Sequence, residues 1–152
     1  MCDKSFPTKL KGKFYRVAAR PAMLYGPDCW AIKKAQARKM EVAEMRMLRW
    51  MCGHTRIDRI RNVVFWERLG VANIADRIRE WRMRWFGHVK RRQTTNPVRT
   101  VANINIEGKR GRGRPKLTWD ERIMHDLIDL NLSEDMVEDR NSWRSRIIVK
   151  DF

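Results

Sequence analysis

The chain has 152 residues, 43% hydrophobic and 34% charged, a balance that excludes a disordered polyelectrolyte and a chain built mainly of membrane spans. No apolar run approaches the roughly 20 residues that cross a bilayer, and the opening MCDKSFPTKLKGK has no apolar stretch of the secretory kind. The formal net charge is +16, an excess that repels itself unless counter-ions or a polyanion screen it, so nucleic acid is the first partner to consider. A nuclear or cytoplasmic, non-secreted chain is expected, with no membrane and no small-molecule substrate as partner.

Residues 9 to 25 place Leu10, Phe14, Val17 and Ala18 on one helical face, and Pro21 is expected to kink or end that helix. Gly26 and Pro27 then make a turn. Across residues 30 to 51, Met40, Ala43, Met47, Leu48 and Met51 keep the three-and-four spacing of an amphipathic helix, and Gly53 stands where a left-handed stop belongs. Thr55 with Asp58 resembles a capping box, which predicts a helix from Arg56; Asn62 is expected to cap a further stretch ending near Leu69, before Gly70.

The clearest helix runs over Ile74–Lys90. Ile74, Ile78, Trp81, Trp85 and either His88 or Val89 form its apolar stripe, and Arg77, Arg79, Arg82 and Arg84 lie largely elsewhere. Residues 93 to 117 lose this periodicity and carry Pro97, Gly108, Gly111, Gly113 and Pro115, as a linker or extended arm would. A doubtful alternation over residues 101 to 106 is the single hint of a strand. Thr118 with Glu121 is a second capping box, opening a helix with Trp119, Ile123, Leu127 and Leu130 on its apolar face. Asn131 can stop it, and Ser133 can cap a last helix carrying Val137, Trp143 and Ile147. The expected fold is all-α, an irregular helical array with a basic Gly/Arg/Pro linker and a C-terminal acidic helical pair. The expected divisions are residues 1–92, 93–117 and 118–152.

Charge changes sign along the chain. Residues 79 to 116 carry a net +10 and residues 117 to 139 a net −7. Two readings stand open: the acidic segment folds back on the basic arm, or the arm engages phosphate while the acids dock elsewhere. Exposed ion pairs, worth ~0 to 1 kcal/mol each, do not decide between them.

Few residues suggest catalysis. Cys2, Cys29 and Cys52 have no paired spacing, which argues against a disulfide scaffold and favours reduced, partly buried thiols. Cys52 and His54 are close in sequence, but Cys29, His88 and His125 do not complete a four-ligand zinc set by spacing. Eight acids between Asp120 and Asp139 suggest a metal nuclease only superficially, since several suit helix starts or a solvated face. No phosphate-binding loop, GxSxG elbow or Cys-His-Asn set occurs, and no metal or cofactor is expected.

Residues 107 to 116, EGKRGRGRPK, contain RGRP, the core of an AT-hook, in which two arginines flank a glycine that lets the backbone approach a narrow A·T-rich minor groove. General contact with a polyanion is the preferred reading of so short a string.

The strings KLKGKFYRVAARPAMLYGPDCW, VAEMRMLRWMCGHTRIDRIRN, ERLGVANIADRIREWRMRWFGHVKRR and GKRGRGRPKLTWDERIMHDL closely resemble the region downstream of the polymerase core in non-LTR (LINE-type) retrotransposon reverse transcriptases, particularly those of plant genomes. The resemblance extends from about Cys2 to Val149. It implies a thumb or connection-like helical region over residues 1–92 and a C-terminal helical segment that holds template and primer. The family's catalytic [FY]xDD motif has no counterpart, since no Asp-Asp pair occurs, so no catalytic residue carries over and no enzyme activity is expected.

The expectation is therefore a noncatalytic nucleic-acid-binding remnant of such an enzyme, without palm or endonuclease. Its phosphate contacts would be Arg77, Arg82, Arg84, Lys90, Arg91, Arg92, Lys109, Arg110, Arg112, Arg114 and Lys116. Trp81 and Trp85 would pack the core beneath, and Trp66 is a candidate for stacking on single-stranded bases. The rival expectation is a nonfunctional or protein-interaction fragment that needs the polymerase domain to fold.

Overall fold

The computed structural model describes residues 5–26, 32, 34–104, 113 and 118–152. The described residues are helical with turns and no strand. They divide into two compact units. The first comprises residues 1–27, 32–78 and 149–152, and the second residues 28–31 and 79–148. Division by helical periodicity and Gly/Pro content, after 92 and 117, and division by packing, after Ile78, follow different properties of the chain.

In the first unit, α1 (Thr8–Phe14) runs into a π-helical turn at Tyr15–Ala19 and then α2 (Arg20–Met23). Pro21 does not end this helix. Its ring would crowd the carbonyl four residues back in an α-helix, and the wider π turn immediately upstream accommodates it. The same widening puts Tyr15 and Arg20 on one face, both buried, with the guanidinium 5.0 Å from the Tyr15 ring centre. The apolar face shared by Leu10, Phe14 and Val17 is exposed: these residues show 50%, 50% and 71% of their surface. The opposite side faces inward, where Gly12 meets the Leu69 backbone and Lys11 Nζ donates to Met51 O at 3.1 Å, capping the end of α3 (Lys34–Met51).

On α3 the buried positions are Glu44, Met45, Leu48 and Met51, while Ala43 is exposed, a face rotated from the expected one. Gly53 takes φ 72° as anticipated. Asp58 Oδ2 accepts the Thr55 N–H at 2.7 Å, but only a turn follows, because Arg59 adopts φ 50° and breaks the helix at once. α4 (Asn62–Leu69) starts after Arg61; Asn62 lies inside it and accepts from Arg49 at 2.6 Å rather than capping. Gly70, left-handed at φ 62°, closes it. The core gathers Tyr15, Met45, Leu48, Phe65, Leu69 and Val71, with Trp66 packed against it.

Glu44, fully buried, ties these elements to the start of α5 (Ile74–Lys90). It accepts the Tyr15 hydroxyl at 2.6 Å and the Ile74 N–H at 3.1 Å. Burial pushes both the Glu44 carboxyl and the Tyr15 hydroxyl up, which keeps Tyr15 a donor. Asp151 is a second node: it accepts from Ala72 N at 2.8 Å, Arg20 at 2.9 Å and Arg77 at 2.7 Å.

The second unit takes the rest of α5, then α6 (Pro97–Ala102), α7 (Trp119–Asp129), a 3-10 turn at Glu134–Val137 and α8 (Arg140–Ile147). α6 lies within the stretch expected to be linker or strand: Asn96 accepts the Val98 N–H and Pro97 occupies the first turn, a start signal strong enough for a short helix. Thr118 and Glu121 form the anticipated capping box, and Asn131 adopts φ 51°. Asp139, not Ser133, caps α8, accepting from Asn141 N and Ser142 N. The core is Met83, Phe86, Ile123, Leu127, Val137, Trp143 and Ile147. Gly87 makes room for it, since a Cβ there would stand 2.6 Å from the Trp143 indole nitrogen, which donates to Met83 O at 3.2 Å.

Candidate nucleic-acid interface

Buried positions on α5 beyond Ile78 are Glu80, Arg82, Met83, Phe86, Gly87 and Val89. This places a different set, Trp81, Arg84, Trp85, His88, Arg91 and Arg92, at three-and-four spacing along another face. Trp81 and Trp85, expected as core, are only half-buried, and Met83 and Phe86 take their place. Of the two alternatives at the end of the stripe, Val89 is buried and His88 half-exposed.

With Arg140 and Arg144 of α8, this face lines a groove of about 740 Å³ floored by Trp143 and Ile147. The Trp85 and His88 rings stack with centres 5.4 Å apart and planes 24° from parallel. Arg92, Arg140 and Arg144 are exposed and have no carboxylate partner among the described residues. Arg91 donates to Val137 O at 2.8 Å; burial and the neighbouring Arg140 guanidinium push its pKa down. Cations that line one groove favour an anion between them. Arg84 lies at the same rim, half-exposed, and bonds the buried Glu80 carboxylate at 2.7 Å.

The other expected phosphate contacts are placed differently. Arg82 is a correction: it is 3% exposed and bonded to Asp126, so it cannot reach a phosphate. Burial pushes its pKa down while Asp126 opposes the change. Arg77 belongs to the first unit and is engaged by Asp151. Lys90 pairs with Glu134 at 3.1 Å and lies 5.5 Å from the Phe86 ring centre. Lys109, Arg110, Arg112, Arg114 and Lys116 lie outside the described residues, as do Cys2 and Cys29. Trp66, considered for stacking, is packed against the first core instead.

Arg140 and Arg144 escaped sequence reading because they stand in a short helix beyond the acidic segment, far from the basic run. Their i, i+4 spacing was the available signal.

Four of the eight acids take structural roles. Glu121 and Asp139 cap helices, Asp126 binds Arg82 and Glu134 binds Lys90. Among the described residues no three His, Cys, Asp or Glu side chains form a metal site, and no helix is long and apolar enough to cross a membrane. His54 is within 3.4 Å of Asp58, and Cys52 is a free thiol whose pKa burial raises. No protein-family profile, curated protein or solved structure matches the chain.

Proposed function

We propose that this chain is a noncatalytic nucleic-acid-binding module related to the C-terminal region of LINE-type reverse transcriptases, and that phosphate contact dominates its affinity. The observation that carries this reading is the groove in the second unit, where Arg92, Arg140 and Arg144 lack carboxylate partners among the described residues and stand beside half-exposed aromatic rings. The basic segment over residues 105 to 116 adds a second source of phosphate contacts in sequence. Direct titration of labelled RNA and DNA by the purified chain tests the reading. Binding that weakens steeply with added salt is expected, together with no primer extension in Mg²⁺ or Mn²⁺. Absence of binding at low salt would refute it.

The alternative, a fragment that depends on a polymerase domain, has one observation in its favour: Phe6, Leu10, Phe14 and Val17 form an exposed apolar face along α1 and the segments on either side of it. Limited proteolysis distinguishes the two. A self-sufficient module leaves resistant pieces that retain α7 and α8, which complete the second core, whereas a dependent fragment is digested throughout.

A further inference from the structure

Resting on the reading above, we propose that the groove of the second unit takes an unpaired nucleotide, its base stacked on the Trp85 indole and its phosphate held by Arg140 and Arg144. Phosphate attraction alone needs only the guanidiniums. The aromatic lining therefore calls for a second explanation, and the core does not supply it. Seven other side chains, from Met83 to Ile147, already form the buried cluster, and neither Trp81 nor Trp85 belongs to it.

The two indoles are instead half-buried, on the same helical face as Arg84, Arg91 and Arg92. His88 stacks on Trp85 and fixes the plane of the indole within the groove. An aromatic plane bordered by cations matches one ligand class: a flat base joined to a phosphate. In a duplex both faces of an internal base are covered by its neighbours, so only its edges and the backbone are offered. An unpaired base presents a free π-face, and stacking on an aromatic side chain tolerates any base identity. The groove volume, about 740 Å³, leaves room for a nucleotide between α5 and α8. The ligand is thus a single-stranded segment or a frayed end, recognised with little sequence preference.

The test uses the full chain, fluorescence anisotropy, a short labelled oligodeoxyadenylate, the same strand in a duplex, and inorganic polyphosphate as competitor. Trp85→Leu is expected to weaken single-strand binding by roughly 10- to 100-fold, while Trp85→Phe keeps most of it. Duplex binding, competition by polyphosphate and the salt slope are expected to stay as in the wild type. Should Trp85→Leu fail to fold, His88→Ala, which removes the ring that orients the indole, is expected to give the same selective loss more weakly. Equal binding of strand and duplex, with a folded Trp85→Leu chain indistinguishable from wild type, would overturn this assignment and leave the phosphate-binding module standing. A wild-type chain that binds no nucleic acid would overturn both.

Discussion

Arg82 and Asp126 form a buried ion pair, with Nε donating to Oδ2 at 2.6 Å and side-chain exposures of 3% and 5%. The pair joins α5 to α7 and shows how the acidic segment answers the basic one within a single unit. Neutralisation is by specific pairs, Arg82 with Asp126 and Lys90 with Glu134, which leaves Arg92, Arg140 and Arg144 of the groove without a carboxylate partner among the described residues.

Removing one partner of a buried pair strands the other charge, so Arg82→Met should cost ~3 to 5 kcal/mol. The double variant Arg82→Met, Asp126→Leu should recover most of that loss, because both desolvation penalties vanish together. Urea denaturation of the single and double variants measures the difference. Equal destabilisation by both would show that packing, rather than charge, makes the junction.

Asp151 gives the first unit an acid-sensitive component. Burial pushes its carboxyl up, but the Ala72 N–H, Arg20 and Arg77 outweigh that and bring its pKa down to about 2. A depressed carboxylate stabilises the fold fully above its unfolded value near ~3.9, and that contribution disappears as pH falls through about 2. With partial solvent screening the contribution is on the order of 1 to 2 kcal/mol. Asp151→Asn should lower stability at neutral pH and converge with wild type in strong acid, as thermal melts across that range would reveal.

Gly12 sets the approach of α1 to α4. A Cβ there would lie 1.8 Å from Leu69 O, a backbone atom with no rotamer by which to withdraw. Gly12→Ala should therefore cost ~1 to 3 kcal/mol despite the higher helix propensity of alanine. Chemical denaturation checks it, and an unchanged or raised midpoint would show that the two helices can separate without loss.

Helices announced themselves in the sequence wherever local chemistry is decisive. The Thr118 and Glu121 box and the left-handed Gly53, Gly70 and Asn131 follow from interactions within a few residues. Which face turns inward was less legible, because long-range polar groups compete for burial. Glu44 is interior since Tyr15 and Ile74, far away in the chain, satisfy it. On α1, Lys11 and Gly12 are drawn inward by the end of α3 and the Leu69 backbone, which turns Leu10, Phe14 and Val17 outward. The groove was half legible: Arg84, Arg91 and Arg92 stood out in the basic run, but Arg140 and Arg144 required the folded second unit. Spacing alone puts Trp81 and Trp85 on the apolar stripe of α5, whereas Met83 and Phe86 occupy the core beside the Trp143 indole.

The basic arm expected over residues 93 to 117 contributes through counter-ion release if it contacts the backbone. Replacing Arg110, Arg112 and Arg114 by Ala should flatten the slope of log affinity against log salt by ~2.7 on duplex DNA. Equal losses on A·T-rich and G·C-rich duplexes are expected of a general polyanion contact. A selective loss on A·T-rich DNA would identify minor-groove insertion instead.

The groove itself is tested by the salt dependence of single-strand binding in a chain carrying Arg92→Ala, Arg140→Ala and Arg144→Ala together. These side chains are exposed and without carboxylate partners among the described residues, so the fold should survive their removal. Three lost phosphate contacts should flatten the slope by ~2 relative to wild type. A folded triple variant with an unchanged slope would show that nucleic acid does not bind in this groove.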